Sequence, residues 1–129
     1  MEIIVNGKLY EVMFVKSSLN NSGYYVRLVN NEEDTFCGEC YVDFYQFRKA
    51  QFGIDTTKKF GYLYGFEILE RYRKHGVGKE LLKFIIKSNP NCVIGLHCHD
   101  SLIDFYEKVG FKLVGIDNRA NASKMIIET

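Results

Sequence analysis

The segment Arg73-Lys74-His75-Gly76-Val77-Gly78-Lys79 holds the residue types that point most directly to chemistry. Two glycines one residue apart, beside two cations and at the start of a helical pattern, suit a phosphate group. The first turn of a helix offers unpaired N–H groups and the positive end of the macrodipole. Without Cβ atoms, the glycines let an anion approach the main chain closely. An ordinary strand–helix turn with a solvated basic rim fits the same residues, and the loop alone leaves both readings open. It is not a Walker loop, because Gly78-Lys79 is followed by Glu80; nor is it a dinucleotide fingerprint, because Leu81 stands where a third glycine belongs.

Three further groups could do chemistry. His97 and His99 alternate with Leu96 and Cys98, so both are expected on one face near a strand end, where α/β sheets bind ligands. Imidazoles simply hydrogen-bonded within the sheet fit equally well. Tyr106, with an ordinary phenol pKa of about 10, could donate a proton at neutral pH but not accept one. It could also pack its ring beside Leu102, Phe105 and Val109. Cys37-Gly38-Glu39-Cys40 has the two-residue gap of a zinc knuckle, yet no second tight pair accompanies it. No helix start follows Cys37 to lower its pKa, and the expectation is no metal.

These groups need elements to position them. Residues 2–5 and 9–16, joined by Asn6-Gly7, read as a hairpin, since Asn-Gly supplies the positive φ values of a tight turn. Strands are expected at 24–29 and 35–44, a polar loop at 17–23, a short helix at 45–52 and a loop at 53–59. Residues 61–69 read as a regular strand with Tyr62, Tyr64, Phe66 and Ile68 on one face and Leu63, Gly65, Glu67 and Leu69 on the other. A helix over 79–88 follows, with Val77, Leu81, Leu82, Ile85 and Ile86 on its apolar face and Lys79, Lys83 and Lys87 opposite. Asn89-Pro90-Asn91 stops it. Residues 92–99 form a buried strand, Asp100 or Ser101 caps the next helix, and Gly110 ends it. Strands at 111–115 and 123–128 complete a β-α-β-α-β-β order, which implies a parallel pair linked by a crossover helix.

A chain of 129 residues suits one domain, and 47% apolar with 26% charged residues excludes disorder. The formal charge of +1 gives no electrostatic case for nucleic acid as a partner. No apolar run is long enough for a membrane span, and residues 1–7 are too short and acidic for a signal peptide. With four cysteines and no export signal, reduced thiols in a cytoplasm are expected.

Arg73-Lys74-His75-Gly76-Val77-Gly78 fits the Arg/Gln-x-x-Gly-x-Gly/Ala signature of the GNAT superfamily of acyl-CoA-dependent N-acetyltransferases. Phe66 to Arg73 resembles the strand that leads into it, and Phe105-Tyr106-Glu107-Lys108-Val109-Gly110-Phe111 resembles a second family segment. Ser123-Lys124-Met125 resembles the closing strand. The likeness spans residues 60–129; residues 1–59 form a β-rich, divergent half of the same single domain. The resemblance implies an α/β (α+β) fold: a mixed, mostly antiparallel twisted sheet with a central, splayed parallel pair.

It further implies acetyl transfer from acetyl-CoA to a primary amine of a protein, peptide or small molecule, or a degenerate domain that binds acyl-CoA or a protein without turnover. By similarity, main-chain amides of His75, Gly76, Val77, Gly78 and Lys79 would hold the coenzyme diphosphate, with Arg73 and Lys74 at the loop's mouth. Phe66 and Ile68 would pair with the pantetheine arm, and the Phe66 N–H would polarise the acetyl carbonyl. His99 stands where the family often has Asn against that arm. Tyr106 would protonate the leaving thiolate. Tyr62, Tyr64 and His97 would face the acceptor. The regular alternation denies Glu67 that face, so no general base is assigned; a water chain held by tyrosine hydroxyls, or by His97 or His99, is the fallback. The two helices the family usually carries after its first strand have no room here. Residues 45–59 could supply that wall, and the aromatic run Phe44, Tyr45, Phe47, Phe52 could line the acceptor cleft, a dimer contact or the core.

Overall fold

The computed structural model describes residues 1–16, 23–44, 46–54 and 57–129. The Asn6-Gly7 turn joins β1 (Glu2–Val5) to β2 (Lys8–Lys16), with φ of +52° and +77° at its two residues, as the sequence predicts. Next come β3 (Gly23–Asn30) and β4 (Thr35–Asp43); of the predicted 17–23 loop, residues 17–22 lie outside the described residues. The short helix expected at 45–52 is a 3₁₀ segment, Gln46–Phe52, and Tyr45 lies outside the described residues. Then follow β5 (Lys59–Ile68), α1 (Val77–Ser88), β6 (Cys92–Cys98), α2 (Ile103–Val109), β7 (Lys112–Asp117) and β8 (Ala122–Glu128).

Among the described residues the eight strands make one sheet in the order β1-β2-β3-β4-β5-β6-β8-β7. Each neighbouring pair is antiparallel except β5–β6. That parallel pair, with α1 as its crossover, is short: it runs from Lys59 opposite Cys92 to Tyr62 opposite Gly95 and then ends. Beyond it β5 stays with β4 and β6 stays with β8, so the two strands part.

One face of the sheet carries both helices. Val77, Leu81, Leu82 and Ile85 of α1 are buried in one core with Val26, Leu28, Val42, Leu63, Ile94 and Leu96. Burial of each such side chain is worth about 1.5–3 kcal/mol. The predicted lysine face of α1 is exposed, and Asn89 ends the helix. Tyr106 and Phe111 join the same core around α2. The helix cap expected at Asp100 or Ser101 falls elsewhere: a 3₁₀ turn, Asp100–Leu102, precedes α2, and its cap is His99, whose ring accepts the Ser101 N–H at 3.2 Å. The opposite face bears a smaller cluster, in which Phe52 of the 3₁₀ segment packs with Phe60 and Val93. Among the described residues no helix is long and apolar enough to cross a membrane.

One strand departs from its predicted alternation. Tyr41 pairs with Tyr64, but Glu39 pairs with Glu67, so two residues of β5, Gly65 and Phe66, face the single Cys40. Gly65 has φ +61°. A left-handed glycine in an antiparallel pair with one extra residue is a β-bulge, which bends the strand and exchanges its faces beyond that point. Tyr62 and Tyr64 therefore stay on the face away from the helices, while Phe66 and Ile68 turn to the helix side, where Ile68 is buried in the main core. Glu67 shares the face of Tyr64. The expectation that Phe66 and Ile68 accompany Tyr62 and Tyr64 is corrected, and so is the exclusion of Glu67 from that face.

Candidate functional site

Past the Tyr62–Gly95 pair, the parting strands leave an edge of β5 without a β6 neighbour. A cleft of about 570 Å³ opens there. Its strand wall is Phe66, Glu67 and Ile68; Leu102, Phe105 and Tyr106 close it from α2 and the turn before it. Its remaining wall is the glycine loop, through Arg73, Lys74 and residues 76–79.

The loop's conformation follows from its sequence. Lys74 (φ +65°) and Gly76 (φ +83°) are both left-handed, and Gly76 is the cap from which α1 starts. The amides of the first turn of α1 have no partners within the helix. Gly78 is constrained by crowding: a Cβ there would lie 3.3 Å from Ile68 Cγ1 and 3.4 Å from Phe66 Cζ, filling the space between loop and strand. Arg73 Nε donates to the Ile68 carbonyl at 2.7 Å, which ties the loop back to β5. His75 is set apart: it lines a separate recess of about 210 Å³ on the hairpin side, with Asn6, Lys8, Arg71 and Tyr72.

Tyr106 is buried, in edge contact with Phe105 and Phe111 at 5.1 and 5.7 Å between ring centres. Burial pushes its phenol well above the usual tyrosine range, so the proton stays on the oxygen at neutral pH.

The other sheet face holds a second cluster. Tyr62 Oη lies 2.8 Å from His97 Nδ1, and His97 Nε2 lies 3.2 Å from Asp117 Oδ2. The Ala120 amide, helped by that of Arg119 and by the His97 ring, holds the Asp117 carboxyl below its usual range. A carboxylate facing Nε2 favours the proton on that nitrogen, leaving Nδ1 to accept the Tyr62 hydroxyl. Phe52 packs edge-on to His97 at 5.2 Å, and Lys124 Nζ donates to the Gln51 carbonyl at 2.7 Å, so the 3₁₀ segment walls one side of the pair. On the other side Tyr64, Tyr41 and Tyr25 continue a row of rings with centres 5.2 and 4.9 Å apart.

The predicted site residues thus fall into two groups on opposite sides of the parting strands. The loop residues other than His75, with Phe66, Ile68 and Tyr106, line the cleft; Tyr62, Tyr64 and His97 lie across the sheet. His99 joins neither, since it stands one residue beyond β6 with its ring on Ser101. Residues missed from sequence are Glu67, Phe105 and Leu102 in the cleft and Asp117 beside His97. A lone glycine amid branched and aromatic strand residues was a bulge signal that would have recovered Glu67. All four cysteines are free and buried, and burial pushes the Cys40 thiol to about 12. Among the described residues no three metal-ligating side chains come together.

Over residues 6–111 the sequence matches the Acetyltransferase (GNAT) family. Among solved structures, an acetyltransferase of the GNAT family from Listeria monocytogenes 4b F2365 aligns over 100% of both chains, with TM-score 0.72 and 13% identity. The Bacillus subtilis N-acetyltransferase YlbP, in complex with coenzyme A, gives TM-score 0.66 and 19% identity over 81% of this chain and 67% of that one. An aminoglycoside 6′-N-acetyltransferase complexed with coenzyme A gives 0.65 and 17% over 85% and 74%. At these identities the likeness is one of fold. No curated protein matches the sequence.

Proposed function

The chain belongs to the GNAT acetyltransferase family, and on that premise we propose that it is a working N-acetyltransferase, using acetyl-CoA to acetylate a primary amine of a peptide, protein or small molecule. The observation that carries this reading is the cleft itself: a glycine loop at a helix start, joined to a strand edge that has lost its parallel neighbour. The residues present fit the coenzyme. Amides of residues 76–79 at the positive end of α1, with Arg73 and Lys74 beside them, suit a diphosphate. The open edge from Leu63 to Ile68 suits an extended amide-bearing arm.

Bound acetyl-CoA supplies the acetyl group as an activated thioester. The chain's residues then have three tasks. The Phe66 N–H donates to the carbonyl oxygen as negative charge grows on it, a contribution worth about 3 kcal/mol when such a donor is lost. Tyr62 and His97 accept the proton that a protonated amine, of pKa about 10.4, must lose before it can attack. Tyr62 Oη takes the amine proton while passing its own to His97 Nδ1, and the Asp117 carboxylate stabilises the imidazolium. Tyr106 Oη, kept protonated by burial, gives its proton to the departing sulfur. Glu67 and Tyr64 flank the acceptor's path. A coenzyme-binding module without turnover would need none of the Tyr62–His97–Asp117 chain, and that chain favours turnover.

The test is a calorimetric titration with coenzyme A, followed by a thiol-release assay with acetyl-CoA and a panel of primary amines. Wild type is expected to bind and to turn over at least one amine. Gly76→Glu, which sets bulk and charge among the amides, is expected to lose binding altogether. Coenzyme affinity retained in Gly76→Glu would refute the loop assignment. Binding without release on any amine would leave the non-catalytic module in its place.

A further inference from the structure

The turn that closes the first hairpin meets the glycine loop from the side away from the cleft. Its two positive φ values suit Asn, Asp or Gly at residue 6 and use only the backbone. The side chain is spent elsewhere: Asn6 Nδ2 donates to the His75 carbonyl oxygen at 3.0 Å, across 69 residues of sequence. Val5 stands beside it, its Cγ1 the nearest atom, at 3.8 Å, to where a Cβ on Gly76 would be.

The peptide that joins His75 to Gly76 is trans and planar, so its C=O and N–H point in opposite directions. His75 lines the hairpin-side recess with Asn6, whereas Gly76 lines the cleft. Left-handed residues on both sides of His75 leave this peptide plane without the hydrogen bonds of regular structure to orient it. We propose that Asn6 is a positioning residue for the coenzyme: by holding the His75 carbonyl, it keeps the Gly76 N–H aimed into the cleft, where that amide donates to the diphosphate. The inference rests on the coenzyme reading of the loop. It also gives the divergent N-terminal hairpin a part in binding.

The experiment uses the full chain and coenzyme A. Asn6→Gly keeps the turn and removes the donor; Asn6→Asp keeps the turn and sets an acceptor against the carbonyl. Calorimetry is expected to show coenzyme A binding about threefold to tenfold weaker in Asn6→Gly, the range for one lost hydrogen bond, and weaker again in Asn6→Asp. Melting temperatures without ligand are expected to stay within about 3 °C of wild type. In ¹⁵N–¹H spectra of wild type, the Gly76 amide is expected to shift on adding coenzyme A. Unaltered affinity in both variants, or a Gly76 amide that coenzyme A does not move, would overturn the inference alone, and the wild-type spectrum decides it should a variant fail to fold. Absence of coenzyme A binding by wild type would overturn the coenzyme reading along with it.

Discussion

Replacing Gly65 with alanine tests the bulge that sorts β5 between two faces. Gly65 sits at φ +61°, and a Cβ there would lie 2.9 Å from Tyr41 Cδ2 and 3.3 Å from its Cε2. The left-handed backbone costs a non-glycine residue about 1–2 kcal/mol. Tyr41 is more than a third exposed and can give way, but its ring is stacked on Tyr64 and lies tilted against Tyr25. Moving it off its rotamer adds about 1 kcal/mol. The expected loss is about 2–3 kcal/mol, read as a lower urea midpoint at unchanged slope. Gly53→Ala is the control: Gly53 has φ +67° and nothing within 4 Å of its would-be Cβ, so it bears the backbone cost alone. The difference between the two variants isolates the ring contact. Equal losses would refute the steric part of the argument. If Gly65→Ala relaxes by flattening the bulge, Phe66 leaves the cleft wall and coenzyme A binding weakens. Full affinity in a destabilised Gly65→Ala would refute the claim that the bulge aims Phe66.

The acid and base assignments are separable by kinetics. Tyr106→Phe should lower turnover about a hundredfold or more while coenzyme A affinity stays within twofold, since it removes a proton donor and keeps the ring. Because burial raises the Tyr106 phenol, wild type should show no loss of activity from its ionisation up to about pH 10, where a free tyrosine would titrate. Tyr62→Phe and His97→Gln should each cost about a hundredfold in kcat, and the double variant little more than either, because one proton passes through both; additive losses would show that they act separately. Cys40 should resist alkylation in the native protein at pH 8. Its thiol, raised from 9.0 to about 12, favours the folded state fully below pH 9, and that contribution is lost as pH rises from 9 towards 12; Cys40→Val should lose less stability over that range.

Much of this architecture was legible because its signals are local. Asn6-Gly7 fixes a hairpin turn, the spacing of Val77, Leu81, Leu82 and Ile85 fixes the buried face of α1, and Asn89-Pro90 fixes its end. The glycine loop was legible as a left-handed turn into a helix start because backbone freedom and helix position are properties of a few consecutive residues. The parity of β5 was lost because a bulge depends on what stands across the sheet: one Cys40 against Gly65 and Phe66. Asp117 was invisible for a similar reason, since it meets His97 only through the pairing of β6 with β8 and of β8 with β7. His99 was misplaced by one residue of strand length, enough to turn its ring onto Ser101. The 3₁₀ wall over His97 also depends on a distant clasp, Lys124 to Gln51.

The bulge lies just past the point on β5 where the cleft opens. A parallel pair holds only while both strands keep the same direction, and here it ends at Tyr62 and Gly95. Gly95 is itself required for close approach: a Cβ there would come within 2.7 Å of Phe60 Cζ and 3.1 Å of Phe52 Cε1. Three residues past Tyr62 on β5 lies Gly65, whose bulge bends the strand and increases its twist. β6 keeps its pairing with β8 as far as Cys98. The one extra residue exchanges the faces of β5, so that Phe66 turns to the helix side and joins the cleft wall. Tyr62, before the bulge, and Glu67, after it, share the face away from the helices. In the proposed reaction a thioester lying between the strands would have the loop amides and Tyr106 on one side of the sheet and Tyr62 with His97, which take the amine proton, on the other.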